Sequence, residues 1–284
     1  MSTTFGRIAK LNVADDIQIS MSDLHMEYEI TFDDDINPNE SLINVWNLSG
    51  STISRIQHND KLTLTAGYKT DGSGVILSSR VSTVNTRRES VDKITTIKVI
   101  DGPNLGGIAL PERKVTTGTG KKAKVKLTRK KTYGKNVTAS QIIRDLVPLL
   151  GVAIGKIKLP KDITYPKGYT VSGKVVVEIE KLARSCGAAF FINKQRLYIC
   201  RLAEAASSTT FELSSATGLI GSPEPYENDK ERGYKVKMLL QYRITTASLI
   251  TIKSRTANGK FRVRRGKHIL SGSDHYTEVE VVRV

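Results

Sequence analysis

The chain has 284 residues, long for one core and suited to two or three modest domains. Its hydrophobic fraction of 39% excludes a disordered chain, and the lack of any long apolar run excludes a membrane-spanning helix. Lys and Arg number 44 against 28 Asp and Glu, a net charge of +16 that favours nucleic acid, anionic surfaces or acidic proteins as partners. Met1–Lys10 lacks the apolar stretch of a signal peptide, and Cys186 and Cys200 are too few for a disulfide framework. The expectation is a protein that stays in a reducing compartment where it is made, without membrane association.

Residues 1–105 read as strands throughout. Met26, Tyr28, Ile30 and Phe32 alternate with polar neighbours, as do Leu62, Leu64, Ala66 and Tyr68, and Ile97 and Val99 continue the pattern. Turn signals at Asn37-Pro38-Asn39, Asn59-Asp60, Asp71–Gly74 and Asp101-Gly102-Pro103 separate them. Many short strands at this spacing predict an N-terminal β-barrel-like domain, with Trp46 as a core anchor. Leu105–Lys135 reads as a linker with a long excursion. Within it, Lys121–Lys135 holds eight basic residues and no acid, on a solvated loop, an edge hairpin or a surface for anions.

The period then changes to helical. Thr138 and Gln141 fit a capping box ahead of Ile142, Ile143, Leu146, Val147 and Leu150, with Pro148 ending the regular bonding early and Gly151 as the stop. Lys174–Cys186 carries Val175, Ile179, Leu182 and Cys186 at helical spacing, although the β-branched Val175–Val177 also permits a strand. Phe190–Ile192 and Leu197–Cys200 read as a hairpin. Residues 106–205 thus form a linker with an α+β domain.

Residues 206–284 read as a second barrel-like domain. Tyr234–Leu240 alternates, Leu249–Arg255 and Lys260–Val263 follow with a turn expected at Ala257-Asn258-Gly259, and Tyr276–Val284 closes the chain. Phe261 and Val263 are expected inside, with Arg262 and Arg264 facing solvent, a channel or a partner. The fold class is therefore mainly β with a small α+β insertion, two barrel-like domains joined by a helix-containing middle domain.

Patterns for chemistry fail on inspection. Gly118-Thr119-Gly120-Lys121-Lys122 lacks the opening Gly and closing Ser/Thr of a phosphate loop. Asp33, Asp35 and Asn37 imitate the start of a calcium loop whose Gly would fall on Pro38 and whose closing Glu would fall on Asn44. His25, His58, His268 and His275 have no metal-ligand spacing, and no nucleophile elbow is present. No catalytic residue, metal or cofactor is expected, and the protein is read as a non-enzyme.

Asn258–His268 (Asn-Gly-Lys-Phe-Arg-Val-Arg-Arg-Gly-Lys-His) followed by Ser271–Val282 resembles the C-terminal signature of tailed-phage baseplate hub proteins. Thr217–Pro223, Val171-Ser172-Gly173 and Leu182–Gly187 are similar to further segments of that family, and Val45–Ile56 leading into Asp60–Tyr68 looks like its first barrel. The resemblance runs from about Leu42 to the end and selects helix over strand for Lys174–Cys186. It implies a structural virion protein of the tail baseplate, built in the host cytoplasm. It further implies a homotrimeric ring with paired barrels that adapts a hexameric tail tube to a trimeric spike or needle, meets other baseplate proteins and surrounds the DNA channel. On that reading Lys121, Lys122, Lys124, Lys126, Arg129, Lys130, Lys131, Arg262 and Arg264 are candidates for partner or channel contact, including non-specific contact with DNA. The alternative is a nucleic-acid-binding protein with an oligonucleotide-type barrel, which charge favours and an aromatic content of 6% does not.

Overall fold

The computed structural model describes residues 5–14, 16–35, 37–102, 105–117, 124–205, 210–227 and 232–284. The N-terminal unit comprises β1 (Arg7–Val13), β2 (Ile17–Ser20), β3 (Met26–Phe32), β4 (Asn39–Trp46), α1 (Gly50–Arg55), β5 (Lys61–Tyr68), β6 (Gly72–Glu89) and β7 (Asp92–Asp101). Its strands lie in the antiparallel order β3-β4-β7-β6-β5-β1-β2. The alternating residues predicted to point inward do so: Tyr28, Ile30, Leu62, Leu64, Ile97 and Val99 are all buried in one cluster. Burying such a side chain contributes roughly 1.5–3 kcal/mol, so the period of two translates directly into the curl of the sheet over its core.

Two local expectations change. Residues 50–55 form a helix rather than a strand, because the Ser49 side chain accepts the N–H of Thr52 and caps it. Trp46 is half-buried on the outward face, since Ile43 and Val45 take the inward positions of β4. Its ring meets that of His25 edge-on at 4.4 Å instead of anchoring the core.

The middle unit comprises β8 (Arg113–Thr117), β9 (Lys124–Thr128), β10 (Lys130–Tyr133), β11 (Val137–Thr138), α2 (Ala139–Leu146), β12 (Ala153–Ile157), β13 (Thr164–Tyr165), β14 (Tyr169–Ser172), α3 (Val175–Ser185), β15 (Ala189–Asn193), β16 (Arg196–Cys200) and α4 (Leu202–Ala205). The capping box of Thr138 and Gln141 is present on α2, and a 3-10 turn over Val147–Leu150 with Pro148 near its start ends at Gly151, φ 63°. Lys174–Cys186 is a helix, as the resemblance selected, and Val175, Ile179, Leu182 and Cys186 are buried on one face. Tertiary packing thus overrides the strand propensity of its β-branched start. β15 and β16 form the expected hairpin, and β12 adds in parallel to β16. This unit has its own core.

The C-terminal unit comprises β17 (Thr210–Leu213), β18 (Leu219–Glu227), β19 (Arg232–Leu239), β20 (Leu249–Lys253), β21 (Asn258–Ser271) and β22 (Asp274–Arg283). The turn before β21 sits at Ser254–Ala257, where Ser254 N–H donates to the Ala257 carbonyl, and Asn258 and Gly259 already belong to the strand. Phe261 and Val263 are buried with Val236, Met238, Ile250, Ile252, Val279 and Val281 in a third core. Arg262, expected to face solvent, a channel or a partner, is itself only 8% exposed, beside the half-buried Leu249 and Val282.

β21 is the junction of the molecule. Asn258–Arg262 pairs with β20, whereas Gly266–Leu270 pairs with Phe32–Tyr28 of β3. A register shift between Val263 and Arg265 separates the two halves, and β22 runs along both. The two units expected to be barrel-like share one 13-stranded sheet whose main path runs from β18 to β2, with no closed barrel among the described residues. Gly266 is obligatory at the crossing, because a Cβ there would lie 2.5 Å from the Glu278 carbonyl and 2.9 Å from the Phe32 ring.

Replacing Phe261 by Ala is expected to cost about 3–5 kcal/mol with the denaturant slope unchanged. Equilibrium urea unfolding checks this, and an unmoved midpoint contradicts the inward placement.

Candidate interaction surfaces and the buried junction

The candidate residues fall into two regions. Lys121 and Lys122 lie outside the described residues. Lys124 and Lys126 are on β9, opposite Thr117 and Val115 of β8, so this part of the basic segment is a hairpin. Arg129 donates from Nε and Nη2 to Glu112 Oε1, at 3.2 and 3.0 Å. Lys130 is exposed on β10 opposite Ser172. Lys131 pairs with Asp145, whose carboxylate also accepts the Tyr133 hydroxyl. The hydrogen bonds from Lys131 and Tyr133 hold Asp145 below the ordinary carboxylate range, while burial and the same bond push Tyr133 up. Tyr133 is thereby engaged within the chain, with Lys131 Nζ 5.3 Å from its ring centre, and does not offer a free platform for a base.

The second region is β21. Arg264 lies at the register shift and pairs through Nε with Asp34, whose side chain is 12% exposed. Arg265 pairs with Glu280 at 3.1 Å. Arg262 differs from both. Its Nη1 donates to the Ala247 carbonyl at 2.8 Å, its Nε is buried without a partner, and no carboxylate among the described residues reaches it. Burial lowers its pKa.

The residues that lock the three units together were not singled out by motif. His275 lies on the inward face of β22 with Thr277, Val279 and Val281. Its Nε2 meets the Tyr28 hydroxyl of β3 at 2.8 Å, and its carbonyl accepts the Tyr68 hydroxyl of β5 at 3.0 Å. His268 Nδ1 meets Thr277 Oγ1 at 2.8 Å, and both residues are buried. The alternation along β22 already placed His275 among core positions, a signal that a search for metal spacing passes over. Burial holds both imidazoles neutral, with pKa values lowered to about 3 for His268 and about 4 for His275.

The third unit is held by a carboxylate. Asp101, at the end of β7, accepts the N–H groups of Lys194 and Gln195 at 3.2 and 3.0 Å. These two residues form the β15–β16 turn with φ 48° and 61°. Lys194 Nζ donates to the Val75 carbonyl at 3.0 Å, and Asn193 Oδ1 accepts the Thr245 hydroxyl at 3.3 Å. One hairpin tip therefore bonds to both flanking β units. Burial raises Asp101, opposed by the two N–H donors, and lowers Lys194.

Two proteins of this fold are tail proteins and a third is likened to them. The tail protein from Neisseria meningitidis MC58 superposes with a TM-score of 0.62 at 9% identity, covering 98% of this chain and 97% of that one. The 43 kDa tail protein of prophage MuSo2 from Shewanella oneidensis gives 0.64 at 8% identity, with 98% of each chain covered. The E. coli c3393 protein, a component of the type VI secretion system with structural similarity to the T4 tail proteins gp27 and gp5, gives 0.56 at 7% identity, covering 96% of this chain and 76% of that one. No curated protein matches by sequence. At these identities the likeness defines the fold alone, that of known tail proteins. Residues 39–276 match the family model of the baseplate hub gp41, and the chain belongs to that family.

Because both histidines are neutral in the fold and protonate readily once unfolded, the stability they contribute is present above about pH 6.5. It is lost as pH falls toward about 4 and then about 3. Asp101, raised in the fold, acts in the opposite sense. Urea midpoints are expected to fall between about pH 7 and about pH 4.5, and to fall less in His275→Gln. A wild-type midpoint that holds or rises over this range contradicts the burial of the pair.

Asp101→Ala leaves two turn N–H groups without their acceptor and is expected to cost about 1–3 kcal/mol. Hydrogen exchange at Lys194 and Gln195 should accelerate more than exchange in β3 or β22. Uniform protection contradicts the clamp.

Proposed function

We propose that the chain is the subunit of a threefold, non-enzymatic hub ring of the virion baseplate, assembled in the host cytoplasm. In this reading the ring adapts a hexameric tail tube to a trimeric spike or needle and surrounds the DNA channel. Residues 1–105 and 206–284 are the two ring-forming units, and 106–205 is carried between them. The observation that carries the reading is the placement of two β cores on one continuous sheet. Three copies then present six such units around a rotation axis, a means of meeting a sixfold tube with a threefold object. The main path of the sheet ends in edge strands, β18 and β2, that a neighbouring copy can cover.

The basic candidates are proposed as contacts rather than as a recognition site. Lys124, Lys126 and Lys130 lie on strands of the basic segment, where charge without base-edge readout suits an acidic neighbour or the phosphate backbone. An oligonucleotide-type barrel is the weaker reading, since the aromatic residue of that segment, Tyr133, is engaged by Asp145.

Mass measurement of the protein, alone at high concentration and within its baseplate, is expected to give three copies. A monomer in both settings rejects the ring. Neutralising Lys121, Lys122, Arg129 and Lys130 together is expected to leave the thermal midpoint nearly unchanged, because exposed ion pairs contribute roughly 0–1 kcal/mol each. The same change should reduce incorporation into tails. Submicromolar, base-specific DNA binding lost with these charges would favour the nucleic-acid reading instead.

A further inference from the structure

Arg262 is a buried cation that no carboxylate among the described residues meets. Its neighbours on the same strand show what the fold does elsewhere, as Arg264 meets Asp34 and Arg265 meets Glu280. Arg262 has the neutral carbonyl of Ala247 as its partner, and its Nε has none. Ala247 itself holds φ 68°, a left-handed conformation costly for a residue with a Cβ. A guanidinium removed from water without a carboxylate destabilises the isolated chain, and an apolar side chain of similar volume is often no worse in such a place.

The surroundings suit a docked segment. Leu249 and Val282 are the cross-strand neighbours of Arg262 and are half-buried. Val284 is 67% exposed and Lys260 is exposed beside it, with the Val284 N–H donating to the Lys260 carbonyl. Of the acids on this sheet face, Glu280 pairs with Arg265 and Glu212 with Lys253.

We propose that Arg262, with the apolar rim of Leu249, Val282 and Val284, seats a carboxylate on an acidic segment of another tail protein. This rests on the chain being a baseplate component, but not on the ring being threefold. An acidic segment of a different protein complements the net charge of +16, and the ring reading places a second copy at the edge strands β18 and β2 rather than on this face. On docking, the guanidinium exchanges a neutral acceptor for a charged, bidentate one, a stronger and more directional pairing. In the free chain, Ala247 serves as its resting place.

The test separates assembly from folding. Arg262→Met and Arg262→Gln are expected to keep the thermal midpoint of the isolated full-length chain within about 4 °C of wild type. Incorporation into tails should fall at least tenfold, the size of about 1.4 kcal/mol of lost pairing. Arg262→Lys, which keeps the charge and loses the fork, should recover part of it. In assembled particles, a photo-crosslinking p-benzoylphenylalanine at Lys260 is expected to capture another tail protein, and an acidic residue of that protein should lie within the crosslinked segment. Wild-type incorporation of both neutral variants overturns the proposal. A fall in midpoint beyond about 8 °C shared by all three variants makes Arg262 a support for the Ala247 turn, and also overturns it. Crosslinks to a second copy, to DNA or to nothing overturn the assigned partner. A trimeric hub lacking the crosslink rejects this inference alone, whereas a monomeric hub that retains it rejects the ring alone.

Discussion

The structure depends on a single strand changing partners. β21 begins as a member of the C-terminal sheet, beside β20, and ends as a member of the N-terminal sheet, beside β3. The extra residue between Val263 and Arg265 bends the strand and increases its twist, which lets one ladder serve two sheets whose cores lie apart. A uniform strand of this length would impose one partner and one face throughout. Arg264 sits at the bend, and its charge is balanced there by Asp34 from the loop after β3. The bend is therefore fixed by a pairing that exists only when both units are folded.

Around this strand, polar groups give the joints their direction and apolar groups do most of the filling. Each unit has a hydrophobic core, with Leu240 and Leu270 reaching into the N-terminal core and Phe32 into the C-terminal one, and the hydrogen bonds between units pass through His275, Tyr28, Tyr68, Asp101 and the Lys194-Gln195 turn. Hydrophobic burial is non-directional and stabilises each unit with little demand on orientation. Hydrogen bonds between buried groups are directional, and breaking one leaves its partner unsatisfied. A hub whose units must keep a fixed arrangement under assembly has reason to place such bonds at the joints.

The excess of positive charge acts at a different level. Arg129, Lys131, Arg264 and Arg265 are paired with carboxylates inside the chain, so the net charge of +16 overstates the charge left open at those positions. On the proposal made for Arg262, the cation left without an acid is the one whose energy changes most when an acid arrives.

The sequence by itself determined the local elements. The period of two set the inward residues of β3, β5, β7, β19 and β22, and the capping box with its Pro148 and Gly151 set the limits of α2 and its 3-10 extension. These signals are local, since a pleat, a cap or a stop is satisfied by residues a few positions apart. The residues of Asn258–Val282 also carried the family, which the match over residues 39–276 bears out. The tertiary structure alone decided that the two β units share one sheet, that Arg262 is buried while Arg264 is paired, and that a histidine without metal spacing joins two units. The pairing of Arg264 with Asp34 and of His275 with Tyr28 depends on partners roughly 200 or more positions away in the chain, whereas Arg262 is covered by nearer neighbours such as Ala247. Sequence periodicity assigns a side chain to a face, but which distant strand covers that face is settled by packing of the whole chain.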